Sequence, residues 1–409
     1  MQLLAAPPFG LIREAFGPAI DSAFLPFPAL PFFPTYSPST DLTPTIFPLN
    51  FRAPILQQYS MNLQTTLSRD VALEVGYRGA RGSKLIQVRS FNQAVDATVT
   101  PIRGQTNNTL ANIPMRVPIE GLDSSFANTV ESRGASWYNA LGVSLNRRFS
   151  HGLQFLASYT WTSALETDPG YVNGTLDGGA LQGNQTNRSN YGFDSFIRPQ
   201  RFVISYVYDL PSPRNHFSPP GRLLSGWSIA GVTTFQSGQK LTISETNELN
   251  AFGIFGFDQD RAHISGCSTR DLVSRGSVTS RLNGYFNSSC FTAPPIIGAD
   301  GVATGFGNGG ISNVTGPAQQ DFDISIIKKI PIGRSDVRNL EFRAEFFNAF
   351  NTPSFSNPIL DAGGVCLVGI DCINATTGVV GFNPDPAFGV ISTTSVAPRI
   401  IQFAVKVNF

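Results

Sequence analysis

Residues 401–409 constrain the fold of this chain more than any other segment. They read Ile401-Gln-Phe-Ala-Val-Lys-Val-Asn-Phe409, so large apolar side chains alternate with polar or small ones. Successive side chains of a β-strand point to opposite faces, and the segment is therefore predicted to be a strand with one apolar and one polar face. Such a strand is typical of a transmembrane β-barrel, in which one face contacts lipid and the other faces the lumen.

The alternating pattern recurs along the chain and predicts nine strands. They are expected at residues 56–67, 71–85, 137–149, 153–163, 201–210, 227–236, 322–329, 340–348 and 401–409. The links alternate in length, short near 68–70, 150–152, 211–226 and 330–339, and long near 86–136, 164–200, 237–321 and 349–398. Outer-membrane barrels have short periplasmic turns and long external loops. The sequence thus predicts an all-β fold, an antiparallel meander of about nine to ten long strands that forms a partial transmembrane β-barrel with long extracellular loops.

The first 54 residues differ from the rest of the chain. They are rich in Pro, Phe, Ser and Thr and have no clear periodicity, which is typical of extended or disordered segments. We expect 1–54 to be a lead-in or loop and 55–409 to be the barrel segment. The chain opens without the basic residues and long apolar core of a signal peptide. Because a barrel protein must be exported, we expect the sequence to be a fragment that lacks its signal peptide.

The composition limits the kinds of partner that this chain can bind. A net charge of +1 offers no basic surface for a polyanion, so no nucleic-acid partner is expected. Charged residues make up 14%, well below the roughly 25% of a soluble domain. No run reaches the ~20 apolar residues of a membrane helix, but alternating strands conceal their apolar content from such averages. We expect outer-membrane lipid to contact the apolar faces.

Three charged residues share one side of a predicted strand. Glu341, Arg343 and Glu345 lie in phase with one another and out of phase with the apolar Leu340 and Phe342. A charge on the lipid side costs roughly 2–4 kcal/mol at the bilayer midplane, so these side chains are predicted to face the lumen. They form either a ladder of wall charges paired with neighbouring strands or a contact for a ligand or a plug, and the ladder is the favoured interpretation.

The four cysteines fall in two predicted external loops. Cys267 and Cys290 lie in one loop, and Cys366 and Cys372 lie in another. An even number of cysteines in an oxidising compartment favours disulfides. We predict the pairs Cys267–Cys290 and Cys366–Cys372, with four unpaired thiols as the alternative.

The sequence carries no recognisable constellation of catalytic groups. The histidines are scattered, no metal-ligand spacing is present, and no nucleophile elbow, P-loop or dinucleotide fingerprint occurs. We therefore expect no catalytic residues, no metal site and no cofactor, and we expect that the protein is not an enzyme.

Six segments carry a further signal, and they run in order along the chain at 51–60, 73–82, 136–149, 153–164, 226–239 and 339–351. Together they resemble the barrels of TonB-dependent receptors, and most closely the Oar-like group. The alternating C-terminal residues also resemble the aromatic signal that hands outer-membrane barrels to their assembly machinery. Those residues are Ile401, Phe403, Val405, Val407 and Phe409.

The resemblance implies the C-terminal part of a receptor in the outer membrane of a Gram-negative bacterium. Family barrels have about 22 strands around a plugged lumen, which nine strands cannot enclose, and no plug or TonB-interacting segment is visible here. The resemblance implies contact with the TonB complex only through a missing plug domain. It also implies uptake of a large nutrient ligand, a glycan or a siderophore-like molecule. Two alternatives stay open, a structural or adhesive barrel without transport and a secreted carbohydrate-binding β-protein.

Overall fold

The fold consists mainly of nine long strands. The computed structural model describes residues 42–167, 190–211, 219–247, 249–254, 260–332, 338–365 and 382–408. The strands are β1 (Ile55–Ser68), β2 (Val71–Ser90), β3 (Asn128–Ser150), β4 (Leu153–Glu166), β5 (Gln200–Asp209), β6 (Trp227–Gln236), β7 (Gln319–Pro331), β8 (Asn339–Phe347) and β9 (Ile400–Asn408). Each is antiparallel to the next, and their order in the sheet is their order in the sequence. The predicted all-β meander is confirmed, as an open sheet with β1 and β9 at its edges.

The register places a continuous apolar surface on one face of the sheet. Residues directly opposite each other in an antiparallel pair share a face. One row of such partners crosses six strands and consists of Leu153, Tyr208, Ile229, Ile326, Ala344 and Phe403. A row on the other face crosses seven strands and consists of Asn62, Gly76, Gly142, Thr160, Arg201, Gln236 and Gln319. A slip of one residue in any of these pairs would mix the two faces, so the observed register keeps apolar and polar side chains apart along both rows.

No second sheet covers the apolar face within the described residues. Phe403 is 77% exposed and Leu141 is 36% exposed. The other sheets there have four, two and two strands, all of them short and all drawn from the long loops. A soluble β-sandwich would bury these side chains against a partner sheet.

The strand connections sort by length onto the two ends of the sheet. Two-residue turns join β1 to β2 and β3 to β4, and links of moderate length join β5 to β6 and β7 to β8. The long connections all leave from the opposite end. They contain the helices α1 (Ile113–Arg116) and α3 (Val278–Leu282) and the 3-10 turn Ser288–Cys290, whereas α2 (Pro219–Leu224) lies in a shorter link. No helix of the described part of the chain is long and apolar enough to cross a membrane.

Ten short strands complete the secondary structure of the described residues. Thr45–Ile46 pairs in parallel with β3, and Gly192–Phe193 pairs with β4. The others lie in the loops, at Lys240–Leu241, Ser244–Asn247, Asp260–Arg261, His263–Ile264, Phe291–Thr292, Val314–Thr315, Asp361–Val365 and Phe382–Pro384. Of the predicted lead-in 1–54, residues 1–41 lie outside the described residues, so the domain boundary stays a prediction.

The β2–β3 hairpin extends beyond the predicted strand ends. Pairing continues from Ile86 opposite Ser132 as far as Ser90 opposite Asn128. The sequence predicted an end near residue 85 because the alternation fades there. In the structure Val88 is buried and the Gln87 side chain donates to the Thr167 carbonyl at 3.1 Å, so packing among the loops supports pairing that the pattern does not encode.

Candidate functional site

Two of the long loops fold together into a layer with its own hydrophobic core. The β6–β7 loop contributes Leu272, Phe286 and Phe291, and the β8–β9 loop contributes Phe388 and Ile391. The ring of Phe388 stacks on Phe286 with centroids 5.1 Å apart. Since a buried aromatic side chain contributes on the order of 2–3 kcal/mol, this core gives the two loops a defined structure. We call the described residues of three long loops, 91–127, 237–318 and 348–399, the loop layer.

Arg116 joins the β2–β3 loop to the β6–β7 loop. Its side chain is fully buried, and each of its guanidinium N–H groups has an acceptor. Nε donates to Asn112 Oδ1 at 2.6 Å, Nη1 to the Val95 carbonyl at 2.7 Å and Asn108 Oδ1 at 3.2 Å, and Nη2 to the carbonyls of Thr109 at 3.1 Å and Ala251 at 2.6 Å. A guanidinium has five donors in a fixed fork, so this network defines one relative position of the two loops.

Carboxylates near Arg116 balance its charge without contacting it. Burial lowers the pKa of Arg116, while the charges of Asp96 and Asp300 act in the opposite direction. Burial by itself would raise the pKa of Asp300, but the backbone N–H groups of Ala303 and Leu110 hold that pKa below its usual value. The Leu110 N–H donates to Asp300 Oδ2 at 2.8 Å, which is a second tie between the two loops.

The predicted disulfide partners in the β6–β7 loop meet in the structure. Cys267 and Cys290 form a disulfide with Cα atoms 5.6 Å apart, and Cys290 is part of the loop-layer core. Cys366 and Cys372 lie outside the described residues, so their pairing stays a prediction.

The predicted charge ladder lies on the polar face of β8. Arg343 Nε donates to Glu341 Oε1 at 2.6 Å, and Lys329 Nζ on β7 lies 3.9 Å from Glu341 Oε2. Arg343 Nη1 also lies 3.7 Å from Glu345 Oε1. The structure thus brings the three residues together and adds Lys329 from the neighbouring strand, while a lumenal role for them stays a prediction.

The predicted assembly signal lies on the apolar face of the edge strand β9. Ile401, Phe403, Val405 and Val407 are each opposite an apolar residue of β8 and are 45% to 77% exposed. Phe409 lies outside the described residues. Recognition of this strand by assembly machinery stays a prediction.

A cleft of about 690 Å³ opens where the loop layer meets the sheet. Tyr159, Phe202 and Phe235 line it and form one row of partners on the apolar face. Arg281 of α3 lines the opposite side. The volume falls in the range typical of small-molecule sites, roughly 300–1,000 Å³.

Sequence reasoning did not identify the cleft or Arg116. The cleft brings the ends of β4, β5 and β6 together with α3 and the β8–β9 loop, which lie more than 40 positions from these strands in the sequence. No local sequence pattern therefore indicates it. The one sequence signal for Arg116 was its position just after an Asn-rich segment, 106–112, which supplies its side-chain acceptors. Among the described residues, no group of three or more His, Cys, Asp or Glu side chains is placed to hold a metal ion.

Comparisons with known proteins identify the family of this chain. Ten chains of solved structures match, one of them the outer membrane transporter YddB from Escherichia coli, at 10% identity and a TM-score of 0.38. That match covers 91% of this chain and 34% of the transporter chain, so this chain spans about a third of that relative. No curated protein matches. The family model described as outer membrane beta barrel domain matches residues 2–402, and the chain therefore belongs to that family and is a protein of the outer membrane.

Proposed function

We propose that this chain forms the C-terminal wall and external loop layer of a TonB-dependent receptor that takes up a large nutrient. The ligand class proposed is a glycan or a siderophore-like molecule. The observation that carries the proposal is the packing of three long loops into one ordered layer at a single end of the sheet. Loops of a purely structural barrel need no shared core, whereas a recognition surface gains from loops held in one arrangement.

The direction of the edge strands supports a larger barrel. Eight antiparallel steps separate β1 from β9, so the two edges run in the same direction. Joining them would create a parallel pair, whereas bacterial outer-membrane barrels have an even number of antiparallel strands. Every residue of β1 is exposed, and an unpaired edge is unfavourable in lipid because its backbone groups have no partners. We propose that further strands lie between these edges in the complete receptor.

The proposed partners follow from this role. Outer-membrane lipid covers the apolar face, and the barrel-assembly machinery inserts the sheet through the C-terminal strand. The TonB complex acts only through a plug domain that occupies the lumen of the complete receptor.

Uptake measurements test the proposal. The parent strain, a strain lacking the gene and a strain lacking TonB are given a panel of radiolabelled oligosaccharides and ferric chelates. We expect at least one compound to enter the parent and to be excluded from both mutants. If every compound enters the gene-deletion strain at the parental rate, the uptake role is wrong. If uptake depends on the gene but not on TonB, the energy coupling is wrong.

A further inference from the structure

We propose that the cleft between the loop layer and the sheet binds a phosphate-bearing lipid of the outer leaflet. The cleft is lined by residues of the sheet, of α3 and of the β8–β9 loop. The inference needs only the outer-membrane location of the chain and does not depend on nutrient uptake.

The sheet side of the cleft suits the apolar part of a lipid. Tyr159, Phe202 and Phe235 are successive cross-strand partners at the loop end of β4, β5 and β6. Aromatic residues at this level of a barrel lie in the headgroup region, where their rings contact acyl chains. The loop side adds Leu282 and Phe355, so an acyl chain would contact apolar surface on two sides.

The charge of the cleft suits an anionic headgroup. Arg281 lines it, and so does Arg201, whose register position at the start of β5 is on the polar face, so the cleft reaches over the end of the sheet. None of the described lining residues is an aspartate or a glutamate. Neither arginine forms an ion pair among the described residues. Arg281 Nε is buried and has no hydrogen-bond partner. A buried donor without an acceptor is unfavourable, and a phosphate oxygen would supply the acceptor.

The neutral polar residues complete the recognition. Gln200 and Gln320 line the same cleft as the arginines and offer amide donors there. Phosphate is bound by guanidinium groups through paired N–H···O bonds, which are stronger than bonds between neutral groups. A lipid without a phosphate would leave the arginines unpaired, so the cleft should discriminate phosphorylated from unphosphorylated lipid.

Retained lipid measures the proposed site directly. The protein is purified from outer membranes in a non-ionic detergent, and bound lipid is quantified by phosphorus analysis and native mass spectrometry. We expect the wild-type protein to retain phosphorylated lipid and the variant R201Q/R281Q to retain about tenfold less, the effect of losing charge-assisted hydrogen bonds. The matched control R270Q, which removes an exposed arginine of the same loop that does not line the cleft, should retain the wild-type amount.

Add-back distinguishes the proposed ligand from other amphiphiles. Lipid A carrying its phosphates should rebind to delipidated wild-type protein and to R281K, which keeps the charge, and should rebind poorly to R201Q/R281Q. Dephosphorylated lipid A should bind the wild-type protein and the double variant equally weakly. The proposal is wrong if the double variant retains as much phosphorylated lipid as the wild type. It is also wrong if dephosphorylated lipid binds as well as the phosphorylated form.

Discussion

Replacing Arg116 by methionine should loosen the loop layer and leave the sheet intact. Methionine approximates the length of the buried stem but donates no hydrogen bond. The carbonyls of Val95, Thr109 and Ala251 would each lose the only donor found for them among the described residues. The oxygen of Asn108 would keep a second donor, the Ala97 N–H at 3.0 Å.

The structure sets the size of this effect. An unsatisfied buried acceptor costs about 1–3 kcal/mol. The Ala251 carbonyl belongs to a fully buried residue, whereas Val95 and Thr109 are only partly buried and can recruit water at lower cost. We therefore expect the loops to lose about 3–5 kcal/mol of local stability, in the upper range for single substitutions. At 1.4 kcal/mol per tenfold change, local opening should become about 10²- to 4 × 10³-fold more frequent.

Hydrogen exchange of the protein in detergent micelles measures this opening. The reporter amides are Ala94, which donates to the Phe252 carbonyl, and Ala251, which donates to the Thr304 carbonyl. Both should exchange faster in R116M by the factor given, because exchange of such amides follows the free energy of local opening. Amides at the centres of β3 and β4 should be unchanged.

Arg103 provides the matched control. It lies in the same loop and its guanidinium also donates to carbonyls, those of Val117 and Pro118, but it is partly exposed and pairs with Glu120. R103M should change exchange of the reporter amides by less than about tenfold, since surface ion pairs contribute about 0–1 kcal/mol. Equal effects of R116M and R103M would refute the reasoning, as would an R116M effect that stops at residue 127 and spares Ala251.

Three further predictions concern the sheet and the disulfide. Phe403→Arg should lower the stability of the protein refolded in lipid vesicles by about 2–4 kcal/mol. Gln402→Arg should cost little, because the side chain at this position lies on the polar face opposite a glutamate. Equal urea midpoints for the two variants would contradict the assignment of the faces. Gly79→Ala should destabilise by about 1–3 kcal/mol, because the new Cβ would lie 2.1 Å from a tyrosine ring of β1, and removing that ring should restore the urea midpoint. The disulfide Cys267–Cys290 joins residues 23 positions apart, so its reduction should destabilise the loop layer by about 3 kcal/mol and accelerate proteolysis of these loops. Finding both thiols free by mass spectrometry without reductant would contradict the bond.

The long strands were predictable because two different surroundings act on alternate residues. Lipid selects apolar side chains on one face and the lumen admits polar ones on the other, so the period of two appears directly in the sequence. Strand β6 shows this best, since its predicted range 227–236 is the observed Trp227–Gln236. The links were predictable for a related reason, because their lengths alternate wherever hairpins cross a membrane.

The loop layer was not predictable because its contacts are non-local. Leu272 is fully buried, yet its neighbours in the sequence are Asp271 and Val273, which give no periodic pattern. Its partners include Phe388, more than 100 residues away in the sequence. The cysteines gave the one local indication that this loop is ordered, and they did not indicate what it packs against.

One charged residue tests the assignment of the faces because its register position is on the apolar face. Lys328 is directly opposite Trp227 and Phe342, so its register position is on the apolar face. Its side chain is nevertheless only 8% exposed, and Nζ donates to the Leu223 carbonyl at 2.9 Å and to the Ser225 carbonyl. Nζ also lies 5.1 Å from the centre of the Trp227 ring, a distance at which a cation is attracted to the aromatic face.

The position of Lys328 along its strand explains why this charge is tolerated. It lies near the short-link end of β7, where a cation on the lipid face costs about 0–1 kcal/mol rather than the 2–4 kcal/mol of the midplane. The carbonyls that accept from Nζ belong to Leu223, in the last turn of α2, and to Ser225, just after that helix. The last carbonyls of a helix lack partners within the helix and attract cations. The helical turn in this link therefore does more than connect β5 to β6, because it removes from lipid the charge that the register places there.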